Sequence, residues 1–285
     1  MSKSSGDPGL AVCLASSFCG YHAHTGFLNG LDRLGIRPGK IAGASAGALT
    51  GGLWAAGVRG DELEKLMLSF QFKRAFFDLL SIPRFHLLFL NLGPSGVFSG
   101  SRLRRFLIRL IGDRRIEDLH DPMLELAVSN LTRNCIQMKK EGSLVDFMIA
   151  SLAVPLLFTV QRIGNEDYID GGVANETPFE QWLDDPAIHT IIVHHISHQA
   201  SRRFLPWWNG SGVAASAHAV AAAELFHKRK QRAAASGKQV IFMETVTIHP
   251  GIFQWKTARS LIDAGALTAA GLQESPGLSS LRRVS

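Results

Sequence analysis

The chain has 285 residues, of which 46% are hydrophobic and 19% charged, with a formal net charge of +6. That apolar share supplies a sizeable core and excludes a largely disordered chain, and the length suits one large α/β unit. No run reaches the roughly 20 apolar residues of a spanning helix, no secretory signal is visible, and Cys13, Cys19 and Cys135 lack disulfide-framework spacing, so a cytoplasmic protein with reduced thiols is expected.

The first strand is read at Leu10–Ala15, after a polar stretch (residues 1–8) expected to be flexible. A loop of small residues follows at Ser16–Gly20, then a helix from about His22 to Leu34 closed by Gly35. A second strand at Lys40–Ala42 meets Gly-Ala-Ser-Ala-Gly, and an alanine-rich helix runs to Ala56 and stops at Gly57. This β-loop-α-β-turn-α order predicts a parallel sheet flanked by helices.

An apolar insert occupies about residues 70–115. Leu79–Leu92 carries Phe85, Leu87, Leu88, Phe89 and Leu90 and is broken by Pro83 and Gly93-Pro94. Arg102–Ile111 places Leu103, Phe106, Leu107, Leu110 and Ile111 on one helical face, with arginines opposite. Beyond it the spacing predicts a hairpin over Leu124–Lys140 and a helix over Leu144–Leu152. A strand pair follows, Phe158–Ile163 and Asp167–Ile169, turning at Gly164-Asn165. A buried strand at Ile188–His194, an alanine-rich helix at Gly212–Ala235 and a last strand at Lys238–Thr247 complete the pattern. The Ser/Pro/Gly/Arg-rich tail, residues 273–285, is expected to be flexible, leaving one domain over 9–272.

Two blocks carry chemistry. Gly43-Ala44-Ser45-Ala46-Gly47 is Gly-x-Ser-x-Gly between a strand and a helix, where a sharp turn projects the serine hydroxyl from the sheet edge. The helix that follows offers the Ala46 N–H to a developing oxyanion. A serine this early, after apparently only two strands, argues against the standard α/β-hydrolase order. Further on, Asp170-Gly171-Gly172-Val173-Ala174-Asn175 ends a strand with a carboxylate, and its glycine pair allows tight folding beside the serine turn.

Together these blocks resemble the patatin-like phospholipase family. Gly-Ala-Ser-Ala-Gly-Ala is similar to its nucleophile block, and Asp-Gly-Gly-Val-Ala-Asn-Glu-Thr-Pro to its aspartate block. Ile149-Ala-Ser-Leu-Ala-Val-Pro-Leu-Leu-Phe158 is similar to the approach to the second block, and His24-Thr-Gly-Phe-Leu28 to the helix after the family's glycine-rich loop. The resemblance covers about Leu10 to Pro178. It implies a three-layer α/β/α patatin-like fold with a mostly parallel central sheet and an apolar helical insert. It also implies a Ser45–Asp170 dyad without histidine, acting on lipid carboxyl esters through an acyl-enzyme, with no cofactor and no metal. The family's oxyanion loop reads Gly-Gly-Gly-x-Lys/Arg-Gly, whereas this chain has Ser16-Ser17-Phe18-Cys19-Gly20-Tyr21. The backbone donors at Ser17, Phe18, Cys19 and Gly20 are therefore expected to form the hole, although non-glycine residues resist positive φ.

Some readings stay open. A degraded loop would make the protein a non-catalytic lipid binder or regulator, and a small-ester or thioester hydrolase would share the mechanism. Cys19 is a second nucleophile in principle, but its expected role is packing; His218 or His249 is a conceivable base that the resemblance makes unnecessary. His194, His195 and His198 cluster without a carboxylate or cysteine at ligand spacing, which disfavours a metal. Arginines and lysines cluster at 102–109, 114–115, 202–203 and 228–232. Without a nucleic-acid module they suggest an anionic membrane, at the inner face, rather than DNA or RNA. Phe76–Leu92 and Trp207-Trp208 beside Arg202-Arg203 are the candidate lipid contacts. The sequence leaves the oligomeric state open.

Overall fold

A computed structural model describes residues 6–78, 80–89, 93, 95–199, 210–248 and 257–274. The chain is tied down from its first described residues: Gly6 donates to Asp121 Oδ1 (2.9 Å) and Asp7 to the Arg37 carbonyl (2.8 Å). Strand β1 (Asp7–Leu14) therefore begins inside the stretch expected to be flexible. Helix α1 (Tyr21–Arg33), β2 (Pro38–Gly43) and α2 (Ala46–Ala55) follow, and Gly57 turns at φ +100 after α2. Next come α3 (Gly60–Leu68), α4 (Phe70–Ala75), α5 (Ser81–Phe89), β3 (Gly96–Phe98) and α6 (Ser101–Ile111).

The hairpin is β4 (Met123–Asn130) with β5 (Cys135–Lys139), then α7 (Leu144–Ser151), β6 (Leu156–Phe158), β7 (Gln161–Ile163) and β8 (Glu166–Asp170). β9 (Thr190–Gln199), α8 (Gly210–Ala235), β10 (Gln239–Ile248) and α9 (Ala258–Ala270) complete the order. The sheet runs β10-β9-β1-β2-β4-β8-β7, with β5 also on β4. The β10/β9, β9/β1, β1/β2 and β2/β4 pairs are parallel; those of β4 with β5 and β8, and of β8 with β7, are antiparallel.

Alternation along β1 divides two cores. Leu10, Val12 and Leu14 face one with Ile41, Leu49 and Trp54, whereas Ala11 and Cys13 face the other with Phe179, Trp182, Ile191 and Val193. A strand buried on both faces in this way reads as a continuous apolar run, which is what Leu10–Ala15 is. The mixed α/β architecture with a mostly parallel central sheet is therefore present, flanked on both faces.

Two local expectations are corrected. Pro83 does not interrupt the insert: it lies in the first turn of α5, where a missing N–H costs no hydrogen bond. Phe158–Ile163 is two strands rather than one, because β6 leaves the main sheet to pair in parallel with β3. The insert packs into the main core through Phe72 of α4 and Leu103, Leu107 and Ile111 of α6. Trp207, Trp208, Arg202, Arg203 and His249 lie outside the described residues, as does the tail from residue 275. No helix among the described residues is long and apolar enough to cross a membrane.

Helix α9 was not among the expected elements. Its buried stripe mixes Leu261 and Ile262 with the small Ala258, Gly265 and Ala269, which dilute the apolar signal. Those small residues let it press directly on α1: a side chain at Gly265 would overlap the Ala23 carbonyl, and one at Gly26 the Ile262 carbonyl. Overpacking of this kind typically costs about 1–3 kcal/mol. Gly265→Ala should therefore lower Tm by a corresponding amount, measured by thermal denaturation.

Candidate active site

The Ser45 turn forms where β2 ends against β1. Ala44 N–H donates to the Leu14 carbonyl (3.3 Å), and Gly47 N–H folds back to Ala44 O (2.9 Å). A Cβ at Gly47 would overlap the Leu14 carbonyl, so glycine there is a requirement of close approach. Between these anchors Ser45 takes φ 51, ψ −117, a conformation that non-glycine residues occupy only when their surroundings impose it. One imposing contact comes from α7. Ser45 N–H donates to Ser151 Oγ (2.9 Å), whose own hydroxyl donates to the Ala127 carbonyl on β4 (2.7 Å).

Asp170 arrives from β8, whose pairing sets it opposite Val128. Its backbone is held at both polar atoms, N–H on the Ala153 carbonyl (3.0 Å) and carbonyl oxygen under the Ser129 hydroxyl (2.8 Å). Oδ1 accepts from Gly172 N–H (2.6 Å). Oδ2 has no partner within ordinary hydrogen-bond geometry, yet the Ser45 hydroxyl is near enough to stabilise the ionised form. The pair stands together in a loose contact. Burial pushes the Asp170 carboxyl up to about 7, against the lowering effect of the Ser45 hydroxyl and the Gly172 N–H; the charge of Glu176 adds to the rise. A side chain at Gly171 would overlap the Ala127 carbonyl and one at Gly172 the Ser16 hydroxyl, so the Asp-Gly-Gly block packs where only glycine fits.

The loop facing this pair is held at its base by Ala15 N–H on the His194 carbonyl (3.1 Å) and Ser16 N–H on the Glu176 carbonyl (2.7 Å). Positive φ occurs at Cys19 (56), whereas Gly20 has φ −68. The residue type expected to supply positive φ thus does not, and a thiol residue does. Gly20 N–H is engaged with the Ser17 carbonyl (3.2 Å), which takes it out of the candidate donor set. At the first position of α2, Ala46 N–H has no hydrogen bond among the described residues. Ser17, Phe18, Cys19, Ser45, Ala46 and Asp170 all line one cavity of about 280 Å³, whose remaining wall is largely apolar, with Phe76, Phe98, Leu152 and Phe158. No histidine is among the described residues lining it.

Other titratable candidates are occupied elsewhere. Burial pushes the Cys19 thiol up to about 11, against a hydrogen bond from Tyr21, so it stays protonated. His24 and His194 bond to each other through their Nδ1 atoms (2.8 Å), with His24 Nε2 on the Ala15 carbonyl and His194 Nε2 on Thr245 Oγ1, both 2.8 Å. A carbonyl only accepts, so His24 carries its hydrogen on Nε2, His194 on Nδ1, and the threonine hydroxyl donates. Burial lowers both imidazoles, His24 to about 4, and keeps the pair neutral. His195 stacks on Phe226.

Ser151 and the His24–His194 pair were not assigned a role from sequence. The Ala-Ser-x-x-x-Pro spacing marked Ser151, but only its contacts show what the hydroxyl does. Ser151→Ala leaves two buried backbone groups without a partner, Ser45 N–H and Ala127 O. At about 1–3 kcal/mol for such a group, the variant should melt measurably below wild type in calorimetry.

Comparison with known proteins identifies the family to which the chain is similar. The family described as patatin-like phospholipase matches residues 12–183, more than half of the chain. An uncharacterized NTE family protein of Mycobacterium tuberculosis is 27% identical over 191 residues, 67% of this chain and 50% of the relative. The neuropathy target esterase sws of Drosophila melanogaster is 25% identical over 173 residues, 60% of this chain and 12% of the relative. The chain thus spans about half the length of the mycobacterial relative and a small part of the insect one. Among solved structures, VipD from Legionella pneumophila superposes with TM-score 0.49 at 16% identity, over 94% of this chain and 68% of that one. With the Ser45 and Asp170 blocks both inside the matched residues, the chain belongs to the patatin-like phospholipase family.

Proposed function

We propose that the protein hydrolyses carboxyl esters of lipids, in the manner of a phospholipase A or lysophospholipase, with Ser45 as nucleophile and Asp170 as its base. The observation carrying this reading is the strained Ser45 turn beside a buried carboxylate whose Oδ2 is unclaimed, at the wall of an apolar cavity. The family's description and the esterase name of the Drosophila relative support ester cleavage. Substrate seated against Ser45 excludes water from the pair and draws Oγ and Oδ2 into full hydrogen-bond contact, as catalytic pairs often tighten on binding.

Oγ then attacks the carbonyl carbon while its proton passes to Asp170. The oxyanion is met by Ala46 N–H and by backbone donors of the Ser17–Cys19 loop. Collapse of the tetrahedral intermediate expels the alcohol, which takes the proton from Asp170, and leaves the acyl group on Ser45. Water repeats the sequence: Asp170 takes its proton, hydroxide adds to the acyl carbon, and Ser45 leaves with the proton returned. The aromatic and aliphatic wall suits an acyl chain, and thioesters would pass through the same steps. The engaged Gly20 N–H favours a slower enzyme than one with a full glycine loop. An organophosphonate that labels wild-type Ser45 separates a slow enzyme from an inert lipid binder.

Ser45→Ala and Asp170→Asn should each reduce kcat/KM on a lysophospholipid by at least about 10³-fold, read by fatty-acid release. Equal turnover in either variant overturns the assignment. Because the base works ionised, kcat/KM should fall about tenfold per pH unit below the Asp170 pKa of about 7.

Stability should run the other way. A carboxyl group with pKa raised from 3.8 to about 7 binds its proton more tightly in the folded state. Folding free energy is therefore lost as pH rises through that window. Asp170→Asn removes this loss, so its Tm advantage over wild type should grow between about pH 4 and pH 7 and level off above, measured by calorimetry across pH.

A further inference from the structure

We propose that an arginine-lined cleft between α4, α5 and α6 seats the phosphate headgroups of an anionic lipid bilayer, holding the mouth of the serine cavity against that surface. The proposal rests on the lipid-ester reading for its purpose but is measured by binding alone.

The cleft has a volume of about 630 Å³ and is lined by Arg74 of α4, Arg84 of α5, and Arg102, Arg105 and Arg109 of α6. On α6 those three lie three to four residues apart and so share one face, opposite the buried Leu103, Leu107 and Ile111. Arg104 leaves this set by pairing with Asp146 of α7. One carboxylate, Asp78, is among the described residues lining the cleft, and it is committed: Arg84 binds both its oxygens (3.0 and 2.9 Å) and Ser99 donates to it through N–H and hydroxyl. Burial is the largest single influence on that carboxyl and raises it, but the Ser99 and Arg84 bonds together prevail and hold it down at about 2. Arg102 reaches the Phe77 carbonyl and Arg105 the Ser101 carbonyl, neither a counter-charge. Four cationic groups thus share an open groove without a carboxylate partner among the described residues. Guanidinium groups in this number match a sheet of phosphates better than a single small anion.

Two further observations choose the bilayer. First, α5 presents apolar side chains beside the arginines, Ile82 at 73% and Phe85 at 58% exposure, with Leu80 lining the cleft itself. Apolar residues flanked by arginines suit the headgroup boundary, where the former enter the acyl region and the latter meet phosphate. Second, the cleft and the serine cavity share a wall. Phe76, Phe77 and Phe98 line the cavity, while the next residues, Asp78 and Ser99, line the cleft. The Asp78–Ser99 bonds fix that wall, so a surface held by the arginines lies next to the entrance used by an acyl chain.

The test is co-sedimentation of the full chain with vesicles of phosphatidylcholine alone or of phosphatidylcholine mixed with phosphatidylglycerol. Wild type should bind the mixed vesicles much more tightly, and salt should weaken that binding. Arg74→Glu/Arg109→Glu, both exposed, should retain the wild-type melting profile and rate on a monomeric short-chain ester while binding mixed vesicles at least about tenfold more weakly. Phe85→Ser should also reduce retention on mixed vesicles. Equal binding of wild type to both vesicle types, or undiminished binding by the double variant, overturns the proposal. So does stabilisation by inorganic phosphate without vesicle binding, which would give the cleft to a soluble anion. Binding without ester turnover would sink the hydrolase reading alone, and turnover without binding would sink the docking surface alone.

Discussion

The Ser151 hydroxyl joins three segments that are distant in sequence. It accepts from the Ser45 backbone and donates to Ala127 of β4, and so ties the turn after β2 to the strand that also carries the pairing partner of Asp170. A serine at φ 51 is uphill by itself, by roughly 1–3 kcal/mol for such conformations. It persists because its N–H is held by the buried Ser151 hydroxyl. The aspartate is restrained through the same frame: Ser129, on β4 two residues from Ala127, donates to the Asp170 carbonyl. The separation of Ser45 and Asp170 is thus set by hydrogen bonds to the backbone around β4 and not by their side chains alone.

That frame is expensive at the carboxylate. Burying Asp170 with one oxygen on Gly172 and the other unclaimed raises its pKa toward neutrality and makes ionisation a cost to the fold. In the proposed reaction the same desolvation would strengthen proton transfer from Ser45, since a poorly solvated carboxylate is a better base. Stability lost and basicity gained have one cause. The buried His24–His194 pair shows the contrasting solution: both imidazoles are paired and neutral, and they serve the loop only by holding the Ala15 carbonyl.

The helical insert has two faces with different tasks. Its inward residues complete the main core and supply the aromatic wall of the serine cavity, while its outward residues bring a cluster of arginines and exposed apolar groups together. Asp78 lies between them and fixes one against the other through Ser99 and Arg84.

Much of this was legible in the sequence because it depends on local rules. The buried run at β1, the strand-turn-helix around Ser45, the β4/β5 hairpin and the Asp-Gly-Gly stop after β8 each follow from period, turn residue and neighbour. The expectation that Ser45 works with Asp170 rested on resemblance, since no local rule links residues 125 positions apart (170 − 45). What only the tertiary structure decided is whatever depends on which surfaces meet. Pro83 falls harmlessly in a first turn, α9 approaches α1 closely at Gly265 and Gly26, and positive φ falls on Cys19 while Gly20 stays at negative φ. The arginines of one helix divide between Asp146 and an open cleft. Sequence periodicity records which side of an element is apolar, whereas hydrogen-bond closure and charge pairing are settled by neighbours that only folding brings into contact.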